Sequence, residues 1–194
     1  MEKPTTDIEI RTAFHKKHLK KVHLCPDTIV IDELGIEHGK QRIDIAVLNG
    51  ELHGYEIKSS KDNLSRLKDQ LASYIKYFEK LTIVTAEIHL NKVLEMAPTW
   101  VEIIIASKGE RGAIHFKKIR GASVNHNVKV NSLLHLLWKK EALELLSHVG
   151  VKEPYHKKSR VSIYERISRE ISFKEALEWT KRSFNNRTNW RFVQ

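Results

Sequence analysis

Apolar positions change their spacing several times along the chain, and each change marks an element. Between residues 7 and 22, Ile10, Phe14 and Leu19 recur at helical intervals with lysines opposite. That spacing predicts an amphipathic helix capped by Thr6 or Asp7. Pro26-Asp27 ends the pattern, and the β-branched run 28–31 predicts a strand. ELGIEHGKQ (33–41) carries two glycines and reads as a loop. RIDIAVLNGELHGYEIKSS (42–60) alternates around Asn49-Gly50 as a β-hairpin. A polar linker (59–63) leads to a helix over about 64–79, a buried strand at 81–86, a short helix stopped by Pro98 and a strand at 100–106. Residues 108–112 read as a turn and 113–119 as an edge strand.

Beyond about Asn125 the periodicity is helical. A strongly amphipathic helix is predicted over 132–149, closed by Gly150 in the left-handed conformation that favours glycine. Helices at 161–171 and 173–184 follow, with SIYE (162–165) and SFKE (172–175) fitting the capping-box pattern at their starts. The order α-β-β-β-α-β-α-β, then helices, predicts an α/β fold with a mixed central sheet covered on both faces. The core falls in residues 1–125 and a helical extension in 126–194.

The hairpin carries three ionisable groups at strand positions: Asp44 on one arm, Glu56 and Lys58 on the other. Glu56 and Lys58 are two apart and share a face. Asp44 joins them only if the turn has odd length or an arm is bulged. A two-residue turn pairs Asp44 with Tyr55, whereas Asn49-Gly50-Glu51 as a three-residue loop sets Asp44 opposite Glu56. Two carboxylates so close repel unless a cation balances them. Their hard oxygen donors suit Mg²⁺ or Mn²⁺. Such an ion activates water and stabilises charge on a phosphate, and a nearby lysine assists. In the 64–79 helix, Gln70 lies inside the apolar stripe of Leu64, Leu67, Leu71, Tyr74, Ile75 and Phe78, so its amide needs a buried partner.

Composition narrows the partner. Lys and Arg number 34 against 24 Asp and Glu, giving a formal charge of +10 and attraction to polyanions, nucleic acid first. From 152 to 194, eleven Lys or Arg face five Glu, with Trp179 and Trp190 interspersed; residues 157–191 are expected to meet a DNA backbone, or else to cap the sheet or a dimer partner. The single Cys25 fits a reducing compartment, and no apolar run reads as a membrane span or signal peptide. A soluble, cytoplasmic protein is expected. His15 and His18, at i and i+3, read as a solvated helix face because no third ligand is spaced near them.

The D44…E56-x-K58 pattern and the element order resemble the PD-(D/E)XK, restriction-endonuclease-like nuclease superfamily. The usual Pro before the Asp is replaced by Ile43. Q70LASY74 is similar to the Q-x-x-x-Y motif of the RecB- and Cas4-like branch, and much of the chain resembles an uncharacterised bacterial family placed in that superfamily. The resemblance implies a Mg²⁺- or Mn²⁺-dependent DNA endonuclease, with Asp44 and Glu56 as metal ligands and Lys58 serving the attacking water. It implies that Gln70 and Tyr74 position metal water or DNA. An additional acidic residue is implied too, for which Glu33 is the first choice and Glu9, on the first helix, the alternative. Arg42, Lys61 and Arg66 flank the motifs as phosphate contacts. A non-catalytic DNA-binding protein, and an RNA-processing nuclease or the cleavage subunit of a larger complex, remain open.

Overall fold

The structure, a computed structural model, describes residues 3–151 and 154–187. Helix α1 (Asp7–Lys17) starts at Thr6, whose backbone and hydroxyl both donate to Glu9. The expected single helix breaks at His18, and a short α2 (Lys20–His23) follows. The break turns Leu19 into the core beside Ile10 and Phe14. Six strands follow in the order β1 (Ile29–Ile36), β2 (Gln41–Leu48), β3 (Leu52–Lys58), β4 (Lys80–Thr85), β5 (Glu102–Lys108) and β6 (Ile114–Arg120). Each is bonded to the next in sequence. β1–β2–β3 is an antiparallel meander, β3–β4 and β4–β5 are parallel, and β6 returns antiparallel. Parallel neighbours require crossovers: α3 (Leu67–Tyr74) makes the first and α4 (Leu90–Met96) the second.

The sheet is buried on both sides. One face carries Val30, Ile45, Val47, Tyr55, Ile57, Val84 and Ile104 against α1. The other carries Ile31, Leu48, Ile83 and Ile103 against α3, α4 and the C-terminal helices. Those helices are α5 (Val130–Leu134), α6 (Lys139–His148), α7 (Arg160–Ile167) and α8 (Phe173–Asn186). The helix expected over 132–149 is two, because the chain turns at Trp138 and restarts with Glu141 capping the Trp138 backbone. SFKE caps α8 as expected, but α7 is capped by Ser159, one turn before SIYE. Gly150 is left-handed, φ 81°. The expected C-terminal residues Trp190 and Arg191 lie outside the described residues.

The segment 33–41 is mostly strand rather than loop, and it holds an irregularity that matters for the site. Ile29 and Ile31 face the larger core, so alternation would send Glu33 there next. Instead Glu33 takes a left-handed conformation, φ 57°, and Leu34 and Ile36 return to that core. β2 mirrors this step: Ile45 faces α1 while Ile43 faces the larger core. The ladder runs through Asp32↔Ile45 and resumes at Leu34↔Ile43, leaving Glu33 and Asp44 out of it. A non-glycine residue in this region is costly unless its surroundings hold it there.

Candidate functional site

The β2–β3 register is Ile45↔Tyr55, Ala46↔Gly54, Val47↔His53 and Leu48↔Leu52. The connection is therefore the three-residue loop Asn49-Gly50-Glu51, with Gly50 at φ 93°, and continuing the register sets Asp44 opposite Glu56. Asp44 does not extend the ladder. Its Oδ2 accepts the Ile57 N–H at 2.6 Å, so the carboxylate closes the end of the hairpin. Gly54 leaves room for the Ile43 side chain and for the Phe78 ring, from the segment after α3, since a Cβ would stand 2.4 Å from the first and 2.9 Å from the second.

Glu56 is 2% exposed and both of its oxygens are engaged. Oε1 accepts from Lys58 Nζ at 2.6 Å and Gln70 Nε2 at 2.8 Å. Lys58 also donates to Gln70 Oε1 at 3.0 Å, closing a triangle of Glu56, Lys58 and Gln70. The Tyr74 hydroxyl lies 2.7 Å from Glu56 Oε2 and 2.6 Å from the Arg42 carbonyl oxygen. One hydroxyl proton serves one acceptor at a time, so a proton on Glu56 Oε2 would let both contacts be hydrogen bonds. Burial pushes the Glu56 carboxyl up, against the pull of Lys58, Tyr74 and Gln70. Burial and then the Glu56 charge raise Asp44 to about 8, opposed by the Ile57 N–H and Arg11. Tyr74 is raised by burial and by Glu56.

Arg11, on α1, is the part the sequence did not reveal. Its guanidinium meets Asp44 Oδ1 at 3.0 Å, Glu33 Oε1 at 2.5 Å and Asp7 Oδ1 at 3.2 Å. Burial works against this charge, but Asp44, Glu33 and Asp7 outweigh it and push the group up. The spacing of Asp7 and Arg11, one helical turn apart, marks an ordinary surface pair. Nothing local says that this end of α1 stands over the hairpin.

A cavity of about 440 Å³ gathers most of these groups, with Asp44, Glu56, Lys58, Gln70, Glu33 and Arg11 on its walls. Arg42 and Arg66, expected as phosphate contacts, line the same cavity; so does Lys40, from the β1–β2 turn. Lys61 is exposed but is not among the lining residues. Glu33, the expected additional ligand, is turned onto Arg11 and Arg42. Glu9 serves the α1 cap and pairs with Lys108, contacts that hold its carboxyl down at about 2.

Among the described residues no three His, Cys, Asp or Glu side chains converge to hold a metal. The Asp44–Glu56 pair remains: two carboxylates, each pushed up in its environment, a donor set that suits a hard divalent ion keeping several of its waters. No helix of the described residues is long and apolar enough to cross a membrane.

The fold and site define a mixed α/β protein with a buried carboxylate–lysine–amide cluster at the edge of a polar cleft. The chain belongs to the bacteriophage P4 protein cII family, whose profile matches residues 6–194. Protein cII of Enterobacteria phage P4 is 28% identical over 169 residues, covering 87% of this chain; the match spans 63% of that relative's length. A solved structure of a protein of unknown function from Silicibacter pomeroyi is 15% identical with a TM-score of 0.45, covering 76% of this chain and 94% of its own.

Proposed function

We propose that this chain is a divalent-metal-dependent DNA endonuclease on a restriction-endonuclease-like scaffold. One observation carries the reading: Asp44 and Glu56 line one cleft at the end of the hairpin, while Lys58 and Gln70 are bonded to the same Glu56 oxygen. The antiparallel meander followed by a parallel crossover strand is similar to the core arrangement of the PD-(D/E)XK nucleases.

Asp44 and Glu56 would hold Mg²⁺ or Mn²⁺, which when bound lowers the pKa of a coordinated water and neutralises charge building on a phosphate. Gln70 and Tyr74 fix the Glu56 carboxylate so that it does not rotate away. Lys58, held against Glu56, presents an ammonium to the attacking water or to the phosphoryl oxygens. Arg42, Arg66 and Lys40 on the cleft wall attract the backbone phosphates, assisted by the overall charge of +10.

The test is incubation of the purified chain with labelled single-stranded, duplex and branched DNA, and matching RNA, in Mg²⁺ or Mn²⁺. DNA cleavage is expected, abolished by chelator and by Asp44→Ala or Lys58→Ala; cleavage surviving both substitutions overturns the site. A second reading, a DNA-binding protein without catalysis, is favoured by the fact that all four Asp44 and Glu56 oxygens already have protein donors. Salt-dependent DNA binding with no cleavage of any substrate selects it.

A further inference from the structure

We propose that Arg11 is a built-in counter-cation that guards the carboxylate site, releasing Asp44 when a divalent ion arrives. This rests on the metal-site reading above and concerns a residue outside the nuclease-like motif. The guanidinium lies on the side of Asp44 that Ile57 leaves free: Oδ2 is taken by the Ile57 N–H at 2.6 Å, and Oδ1 by Arg11 at 3.0 Å. The same fork holds Glu33 at 2.5 Å. One cation thus holds two of the three carboxylates expected to bind metal, Asp44 and Glu33.

Three features suit a displaceable cation rather than a fixed strut. The contacts come from a separate element, α1, so Arg11 can leave while the Asp44–Ile57 bond that closes the hairpin stays in place; its other touch on the hairpin, to the Asp44 carbonyl, is long at 3.5 Å. Only its terminal nitrogens are bonded, because the buried Nε has no partner. Asp7, one turn back on the same helix, already bonds the guanidinium at 3.2 Å and can keep it when Asp44 is lost. A guanidinium left against Asp44 would repel an incoming ion. Like charges this close repel strongly near a protein surface, so release is needed for tight binding.

Isothermal titration of Mn²⁺ into wild type, Arg11→Ala, Arg11→Met, Arg11→Lys and Asp44→Asn decides the matter. Arg11→Met keeps the apolar stem and serves if the alanine variant does not fold, which circular dichroism reports. The neutral variants are expected to bind Mn²⁺ at least about tenfold more tightly than wild type, with Arg11→Lys within about threefold of it and Asp44→Asn binding none. Neutral variants that bind equally or more weakly, while Asp44→Asn still abolishes binding, overturn the role of Arg11 and leave the metal site standing. No Mn²⁺ heat in wild type or in any Arg11 variant overturns both.

Discussion

Replacing Tyr74 with Phe removes one oxygen and leaves the ring in place. The ring is fully buried against Phe78, at 6.0 Å between centroids, so no sizeable cavity opens. What is lost is the hydroxyl shared by Glu56 Oε2 and the Arg42 carbonyl, at 2.7 and 2.6 Å, which also accepts from Gln70 at 3.3 Å. An orphaned buried acceptor costs about 1–3 kcal/mol. Glu56 keeps Lys58 and Gln70 on its other oxygen, so the combined loss should come to about 2–4 kcal/mol. For a chain of 194 residues, 1 kcal/mol moves the melting temperature by about 2–4 °C. Tyr74→Phe should therefore melt roughly 5–15 °C lower by calorimetry. A cycle with Glu56→Gln and the double variant should reveal coupling of about 1 kcal/mol or more. A fall below about 0.5 kcal/mol, or strict additivity in the cycle, would refute the claim that Tyr74 clamps Glu56.

Other consequences follow from the same geometry. Asp44 is raised from an ordinary value of 3.8 to about 8, so the folded chain keeps a proton that the unfolded chain has lost. The stability this provides is complete below about pH 4 and disappears as pH rises to about 8, with a slope of up to about 1.4 kcal/mol per pH unit. Urea melts of wild type and Asp44→Asn in chelator should therefore converge as pH falls to about 4 and diverge towards pH 8, the wild type losing more; parallel profiles would refute it. Because Asp44 binds metal as a carboxylate, Mn²⁺ binding at pH 7 should release protons, seen as a dependence of heat on buffer ionisation, and that release should fade above about pH 9. Gly54→Ala should cost about 1–3 kcal/mol through overpacking, because the new methyl meets both Ile43 and the Phe78 ring; a neutral effect in denaturant melts would mean that Ile43 and Phe78 pack less tightly over the hairpin.

The elements that were legible in the sequence are those set by local periodicity. Parity along the hairpin requires an odd loop or a bulged arm for Asp44 to join Glu56, and Asn49-Gly50-Glu51 is an odd loop. Gln70 stood out as an amide in an apolar stripe, and it bonds Glu56 and Lys58. What was not legible depends on contacts distant in sequence. The glycines of ELGIEHGKQ suggest a loop, yet Leu34 and Ile36 are held in strand by pairing with Ile43 and Gln41. The left-handed turn at Glu33 delivers its carboxylate to Arg11, a residue 22 positions earlier. The 132–149 stripe hid a break at Trp138, because both pieces bury their apolar faces in one core.

Anomalous scattering from a crystal of the chain soaked in Mn²⁺ locates the ion directly. One strong peak shared by Asp44 and Glu56 is expected, with Arg11 turned from Asp44 towards Asp7. A peak elsewhere, or none while Arg11 stays on Asp44, would overturn the metal site.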